Sequence, residues 1–222
     1  TIPESINFIS ENTFYYCSSL ESITIPNTIT SIGSNAFSYC SSLTSITIPS
    51  SVTYLGKSSF YYCSNLKSVT FKQEINYFSY DDYFKKSNLE SIVFQNKVNM
   101  TGSKPFHDPF SLKSVTFMDD VGSIGNYSFS GCTDLTSIVF SKKVYSFGSY
   151  AFFNCNKLKQ ISIPSTITSI GDDVFDKISS LEISGSIKRI HKKMFKNHSS
   201  LKKIVIPPSV TVIDNDAFNG CD

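Results

Sequence analysis

The sequence predicts an α/β repeat solenoid. The expected form is a right-handed superhelix of about ten stacked coils, with short parallel strands on the concave face and short helical or 3-10 turns on the convex face. Three observations predict it. Aromatic residues recur in one register at Phe14, Phe37, Phe60, Tyr83, Phe106, Phe129, Phe152, Phe175, Phe195 and Phe218, every step being 23 residues except the 20 between Phe175 and Phe195. The neighbouring apolar residues keep that register, as Leu43, Ile46, Ile48, Val52, Leu55, Phe60 and Cys63 in one unit and Leu158, Ile161, Ile163, Ile167, Ile170, Phe175 and Ile178 in a later one. Within a unit the spacing is neither 2 nor 3.6 throughout, which marks a repeat rather than a run of ordinary strands or helices.

Each element of the coil follows in order. The single alternation at Ile46 and Ile48 gives a strand of only a few residues, because successive strand side chains point to opposite faces. Pro49 and the glycines typified by Gly33 then turn the corner. The segment Gly33, Ala36, Phe37, Cys40 is spaced for about one helical turn. One such unit cannot bury its own apolar edge, so units must stack, with strands ~4.8 Å apart. Each inward apolar side chain then stabilises by roughly 1.5–3 kcal/mol when fully buried. The whole chain, 1–222, is expected to be a single solenoid. Two stretches, 79–121 and 176–190, are expected to be irregular. In the first, Asp82 and Pro105 stand where Ala is usual and Lys86 and Pro109 where Cys is usual; Pro105 and Pro109 forbid a regular helix around Phe106. The second is three residues short. The chain opens at Ile2 and Pro3 and stops at Cys221 and Asp222, in each case inside a unit, so a fragment of a longer array is expected.

The strand words Ile23, Ile25, Pro26, then Ile46, Ile48, Pro49 and Ile161, Ile163, Pro164, with Ile32, Gly33 and Ala36, Phe37, Cys40, resemble the leucine-rich repeat in the variant named after BspA-like and treponemal surface proteins. The resemblance covers the whole chain. It implies a leucine-rich-repeat fold, display at a cell surface or secretion, and engagement of host matrix proteins, host cells or other microbes.

Composition narrows the function classes. With 40% hydrophobic and 17% charged residues and a net charge of +2, the 222-residue chain is neither a disordered segment nor strongly drawn to nucleic acid. No apolar run reaches the roughly 18 residues of a membrane span, so no direct membrane insertion is expected. Ser and Thr number 56 and there is no Trp. Cys17, Cys40, Cys63, Cys132, Cys155 and Cys221 share one repeat position, which also accepts Ile178 and His198. A small inward slot holding free thiols is therefore expected, not a disulfide framework or a zinc site.

Candidate chemistry is sparse. His191 and Asp214 occupy one position in consecutive coils and would stack as a His–carboxylate pair, but a triad also needs a presented nucleophile and an oxyanion site, and with Ser and Thr everywhere proximity to one proves nothing. No catalytic residue, metal or cofactor is assigned. Asp81 with Asp82, Asp119 with Asp120, and Asp172 with Asp173 lack calcium-loop spacing. The sequons at Asn99, Asn126 and Asn197 fall within chance expectation for such a composition. Lys188, Arg189, Lys192, Lys193 and Lys196 form a basic cluster able to bind a polyanion, unless the turns of the coil split its field.

Binding surfaces are clearer. Outward strand positions form rows of small hydroxyls, Ser22, Ser45, Ser68, Ser91, Ser114 and Ser137 beside Thr24, Thr47, Thr70 and Thr116. The row at the end of the strand is individual only at Lys72, Gln95 and Met118. Tyr54 and Tyr77 share a register after the strand, and Tyr16, Tyr39 and Tyr62 form a row beside the Cys slot. Such rows either cover neighbouring coils edge to face or meet a partner. The expected function is a non-catalytic protein-binding scaffold serving surface adhesion or host interaction, with a protein such as a host matrix component or cell-surface glycoprotein as ligand. The alternative is an intracellular or self-associating structural scaffold.

Overall fold

In the computed structural model the described residues are 1–76, 78, 83–100, 106, 111–176, 178–185 and 187–221. Short parallel strands stack one per coil. A five-stranded sheet runs in the order Ser45–Ile48, Ser68–Phe71, Ser91–Phe94, Ser114–Phe117, Ser137–Phe140, and a three-stranded sheet continues with Gln160–Ser162, Ser180–Ser184 and Lys203–Val205. The register is one repeat per coil, as in Ile46 against Val69 and Val69 against Ile92. Among the described residues these two sheets count eight strands, so about eight coils carry one, fewer than the ten aromatic positions. A second parallel ladder of two- to four-residue strands follows the corner, including Ser31–Ile32 beside Tyr54–Leu55 and Val98–Met100 beside Val121–Ile124.

The core is built as piles of rings. Phe37 lies on Phe60 at 5.3 Å between centroids, Phe129 on Phe152 at 5.5 Å, and Phe152 on Phe175 at 5.5 Å, all within 6° of parallel. A second pile, Phe71, Phe94, Phe117 and Phe140, runs behind the strands at 5.1–5.4 Å. Centroid distances above the ~4.8 Å coil spacing mean that the rings are offset, the arrangement their quadrupoles prefer.

The side expected to be helical is not. Among the described residues only Tyr83 and Phe84 take α-helical character; elsewhere this side is a run of turns. Alternate amides explain it. Thr13, Tyr15 and Cys17 donate three residues back, to Ser10, Asn12 and Phe14, whereas Asn12, Phe14 and Tyr16 donate across to Ser34, Ala36 and Ser38 of the next coil. An α-helix would claim both sets for itself. Two residues per coil also have positive φ, Asn12 and Tyr16, then Asn35 and Tyr39, then Ser58 and Tyr62, at 54–63°. Left-handed residues interrupt a right-handed helix. The turn face is therefore a ladder of β-turns bonded coil to coil.

Two expectations about register are corrected. In the fourth coil Phe84, not Tyr83, lies on Phe60, at 5.3 Å, and Phe60 donates to the Tyr83 carbonyl. Tyr83 thus takes the place of Ala36, not Asp82, and the Cys position falls to buried Ser87, not Lys86, which has φ 66° and matches Tyr62. Phe78 fills the gap above, 4.7 Å from Phe106. Asp82, Pro105 and Pro109 lie outside the described residues, as do Asp81 and His107. In the short coil, Ile161 pairs with Ile183, 22 residues on rather than 23, so one residue is lost before the strand. The other two are lost after it, where Gly185 turns with φ +102° and a Cβ would meet the Ile163 carbonyl at 2.8 Å.

Close approach also fixes the corner glycines. A Cβ on Gly56 would lie 2.3 Å from Ser34 N, and one on Gly171 2.3 Å from Ser149 N. Hydroxyls tie the coils together: Thr53 donates to the Thr30 carbonyl, Thr168 to Tyr145, Thr211 to Lys188 and Ser51 to Ile29. Part of the Ser and Thr excess is spent in this way on carbonyls of the previous coil.

Candidate functional site

The thiol slot is structural. Cys40, Cys63, Cys132 and Cys155 are buried, Cys17 is exposed, and all six cysteines are free. The Sγ–H of Cys63 donates to the Phe37 carbonyl at 3.1 Å, and Cys155 to that of Phe129 at 3.1 Å. Burial pushes the Cys63 thiol up to about 12 and that of Cys40 to about 11. These are inert packing groups. His198 fills the same slot, buried, with Nε2–H donating to the Ile178 carbonyl at 2.7 Å.

The supposed His191–Asp214 pair is not formed. Asp214 instead accepts from the Arg189 guanidinium. Lys193 pairs with Asp172 at 3.3 Å, so two members of the basic cluster are engaged by acids of neighbouring coils. Lys188 and Lys192 are exposed and Lys196 is half-buried. Pairing across coils recurs elsewhere. Glu90 sits between Lys67 and Lys113, at 2.8 and 2.7 Å, and their hydrogen bonds hold its carboxyl down at about 2. Lys142 meets Asp119 at 2.9 Å. Among the described residues no group of three His, Cys, Asp or Glu side chains could hold a metal ion, and no helix is long and apolar enough to cross a membrane.

Two surfaces remain. On the strand face, the amides of Lys72, Gln95 and Met118 donate to Ile48, Phe71 and Phe94, which keeps these three side chains in one straight exposed row. Met118 is 47% exposed and nearby Val139 43%, beside Val93 and rows of Ser and Thr. Tyr54 is exposed; Tyr77, expected beside it, lies outside the described residues.

On the turn face, Tyr16, Tyr39 and Tyr62 do form a row. Tyr39 lies 4.8 Å from Tyr16 and 5.2 Å from Tyr62, within 19° of parallel. Two tyrosines that the sequence reading passed over complete it: Tyr15 and Tyr61 stand edge-on to Tyr39, each at 5.6 Å. Partial burial, then Tyr61, Tyr15, Tyr16 and Tyr62, raise the Tyr39 phenol above its ordinary value. A second pair, Tyr127 and Tyr150, stacks at 4.9 Å further along.

The description of a BspA-type leucine-rich repeat region, in six copies, matches residues 1–110 and 99–222. No curated protein sequence matches the chain. Among solved structures, it is similar to a leucine-rich repeat protein of Bacteroides ovatus (23% identity, 100% of this chain and 70% of that one, TM-score 0.34). It is also similar to a leucine-rich cell surface protein of Faecalibacterium prausnitzii (22% identity, 91% and 58%, TM-score 0.36) and to the pneumococcal vaccine antigen PcpA (17% identity, 97% and 74%, TM-score 0.40). Matched from end to end on a 23-residue coil of parallel strands, the chain belongs to the BspA-type leucine-rich repeat family, whose solenoids serve in general as non-catalytic binding scaffolds.

Proposed function

We propose that this solenoid is a protein-binding module held at a cell surface or secreted, and that it recognises a protein ligand, such as a host matrix component or cell-surface glycoprotein, through its strand face. The observation that carries the reading is the exposed row Lys72, Gln95 and Met118, flanked by Val139. An apolar anchor, an amide and a cation presented on a rigid sheet among small hydroxyls have the make-up of a recognition centre with a polar surround. The hydroxyl rows on either side let a partner approach closely. Surface display rests on family membership.

Surface plasmon resonance tests the reading. Immobilised fibronectin, laminin and collagen are probed with the wild-type chain and with Met118→Lys and Gln95→Ala. Both substitutions leave buried residues untouched, so the thermal melt is expected to hold while affinity for the bound protein falls about tenfold, the scale of one hot-spot contact. Serum raised against the chain is expected to stain intact source cells. Absence of binding to all three proteins, together with staining only after permeabilisation, refutes the proposal.

A further inference from the structure

The turn face over the first coils holds a groove that protein recognition through the strand face leaves unused. It is a shallow, open depression of about 580 Å³, lined by Tyr15, Tyr39 and Tyr61 with Asn12, Asn35 and Ser58. Its shape comes from a repeat position that alternates in size. Tyr15 and Tyr61 are two coils apart, and between them the position is Ser38, which is buried and donates its hydroxyl to the Ser58 carbonyl at 2.6 Å. The Tyr39 ring stands between them, 5.6 Å from each.

The chemistry of the lining is specific. None of the six side chains is charged. Three rings supply apolar surface. The polar groups beside them are little used: the Asn35 side chain has only a 3.3 Å contact with the Ser38 hydroxyl, whose proton goes to the Ser58 carbonyl, and the Asn12 amide and Ser58 hydroxyl bond to no other side chain or backbone group among the described residues. That contrasts with Ser51, Thr53 and Ser59, whose hydroxyls are all given to carbonyls. One lining ring, Tyr39, and the two rings stacked on it are also kept where they are conformationally unfavourable. Tyr16, Tyr39 and Tyr62 have φ of 63, 62 and 59°, at a position where other coils place Gly131, Asn154, Asn197 and Gly220, residues that accept positive φ more readily.

We propose that this groove binds a neutral, unbranched glycan, its successive sugars lying along the stacked coils. Pyranose rings have apolar C–H faces that fit tyrosine rings and equatorial hydroxyls that fit free amide donors. Tyr15 and Tyr61 stand two coils apart with Tyr39 edge-on to each at 5.6 Å, and the amides of Asn12 and Asn35 follow each other one coil apart, ~4.8 Å. A periodic surface suits a periodic polymer. An acidic glycan finds no cation in the lining, and a folded protein epitope has no reason to match the repeat.

The chain has 12 Tyr and no Trp, so its intrinsic emission reports tyrosine alone. Hexamers of β-1,4-glucose, β-1,4-N-acetylglucosamine, β-1,4-mannose and β-1,3-glucose are titrated at millimolar concentration, followed by emission and calorimetry, with a heparin hexamer as the charged comparison. At least one neutral hexamer is expected to bind. Tyr15→Ala and Tyr61→Ala are expected to weaken it about tenfold each without lowering the melting temperature, as both side chains lie outside the core. Tyr61→Phe, which keeps the ring, is expected to restore binding to within about twofold. Tyr16→Asn relieves the backbone and is expected to leave the fold at least as stable. The proposal is overturned if no neutral hexamer binds the folded chain, if only heparin binds, or if Tyr15→Ala and Tyr61→Ala leave affinity unchanged.

Discussion

Replacing one ring of the phenylalanine pile by alanine tests what holds the coils together. Phe152 is fully buried and has a ring on each side, Phe129 and Phe175, both at 5.5 Å. Phe152→Ala therefore removes the burial of a large side chain, about 3–5 kcal/mol with the cavity it leaves. Two ring pairs of about 0.5–1.5 kcal/mol each are included in that loss. Phe14 is only partly buried and has one stacked neighbour, Phe37 at 5.1 Å. Phe14→Ala is expected to cost about 1.5–2.5 kcal/mol, half the burial and half the pairing. In a stack, each coil depends mainly on its neighbours, so the interior loss spreads both ways while the terminal one frays a single coil. Native-state hydrogen exchange reads this directly. The reporting amides are those of Phe129, bonded to Ala151, and Phe152, bonded to Val174. Their exchange is expected to accelerate by roughly two to three powers of ten in Phe152→Ala and by less than about tenfold in Phe14→Ala. Equal effects at the two sites, or an interior loss below about 1.5 kcal/mol, would refute the view that the ring pile is the principal core.

Further outcomes follow from the same geometry. Gly56→Ala is expected to destabilise by at least about 2 kcal/mol in urea melts, because the new Cβ would sit 2.3 Å from Ser34 N, whereas Gly122→Ala meets only the Asn99 side chain at 3.1 Å and is expected to cost less than about 1 kcal/mol. Phe84→Ala is expected to lower the melting temperature more than Tyr83→Ala, since Phe84 carries the stack on Phe60; the reverse order would restore the uniform 23-residue register. In the native chain a thiol reagent at pH 8 is expected to modify Cys17 rapidly and Cys40, Cys63, Cys132 and Cys155 only on unfolding. Cys63 has a folded pKa of about 12 against 9.0 for the free thiol, so its contribution is intact below pH 9 and is lost as pH rises from 9 to 12. Melts over that range are expected to fall by at most about 1.4 kcal/mol per pH unit for this thiol, and the slope should flatten in Cys63→Ala.

The inward residues were legible in the sequence because a closed slot selects on size and polarity in every coil: Leu43, Ile46, Ile48, Phe60 and Cys63 are all buried where the period put them. The fourth coil was misread because Tyr83 and Phe84 are adjacent aromatics, and only the ring below, Phe60, distinguishes them. The helical reading failed for a different reason. Positions Gly33, Ala36, Phe37 and Cys40 satisfy the helical spacing, but a ribbon of β-turns also brings Phe37 and Cys40 inward. What separates the two is the residue type at the outward turns: Asn12, Asn35, Asn154, Asn197, Gly131 and Gly220 recur at positions of positive φ, a pattern no helix needs.

The same distinction explains what could be read of the binding surfaces. Tyr16, Tyr39 and Tyr62 occupy one repeat position, so they showed as a row. Tyr15 and Tyr61 flank Ser38, and a reading that follows rows of like residues passes over them. Yet Tyr15 and Tyr61, together with Tyr39 between them, line the depression on this face. In a solenoid the repeat specifies the scaffold, and departures from it specify the sites. Lys72, Gln95 and Met118 break a row that is Pro26 and Pro49 in the preceding coils, as Ser38 breaks a tyrosine position. Searching such a sequence for function therefore means subtracting the consensus first. Exposed positions where neighbouring coils disagree are the ones free to answer to a ligand, because neither core packing nor the coil-to-coil ladder dictates them.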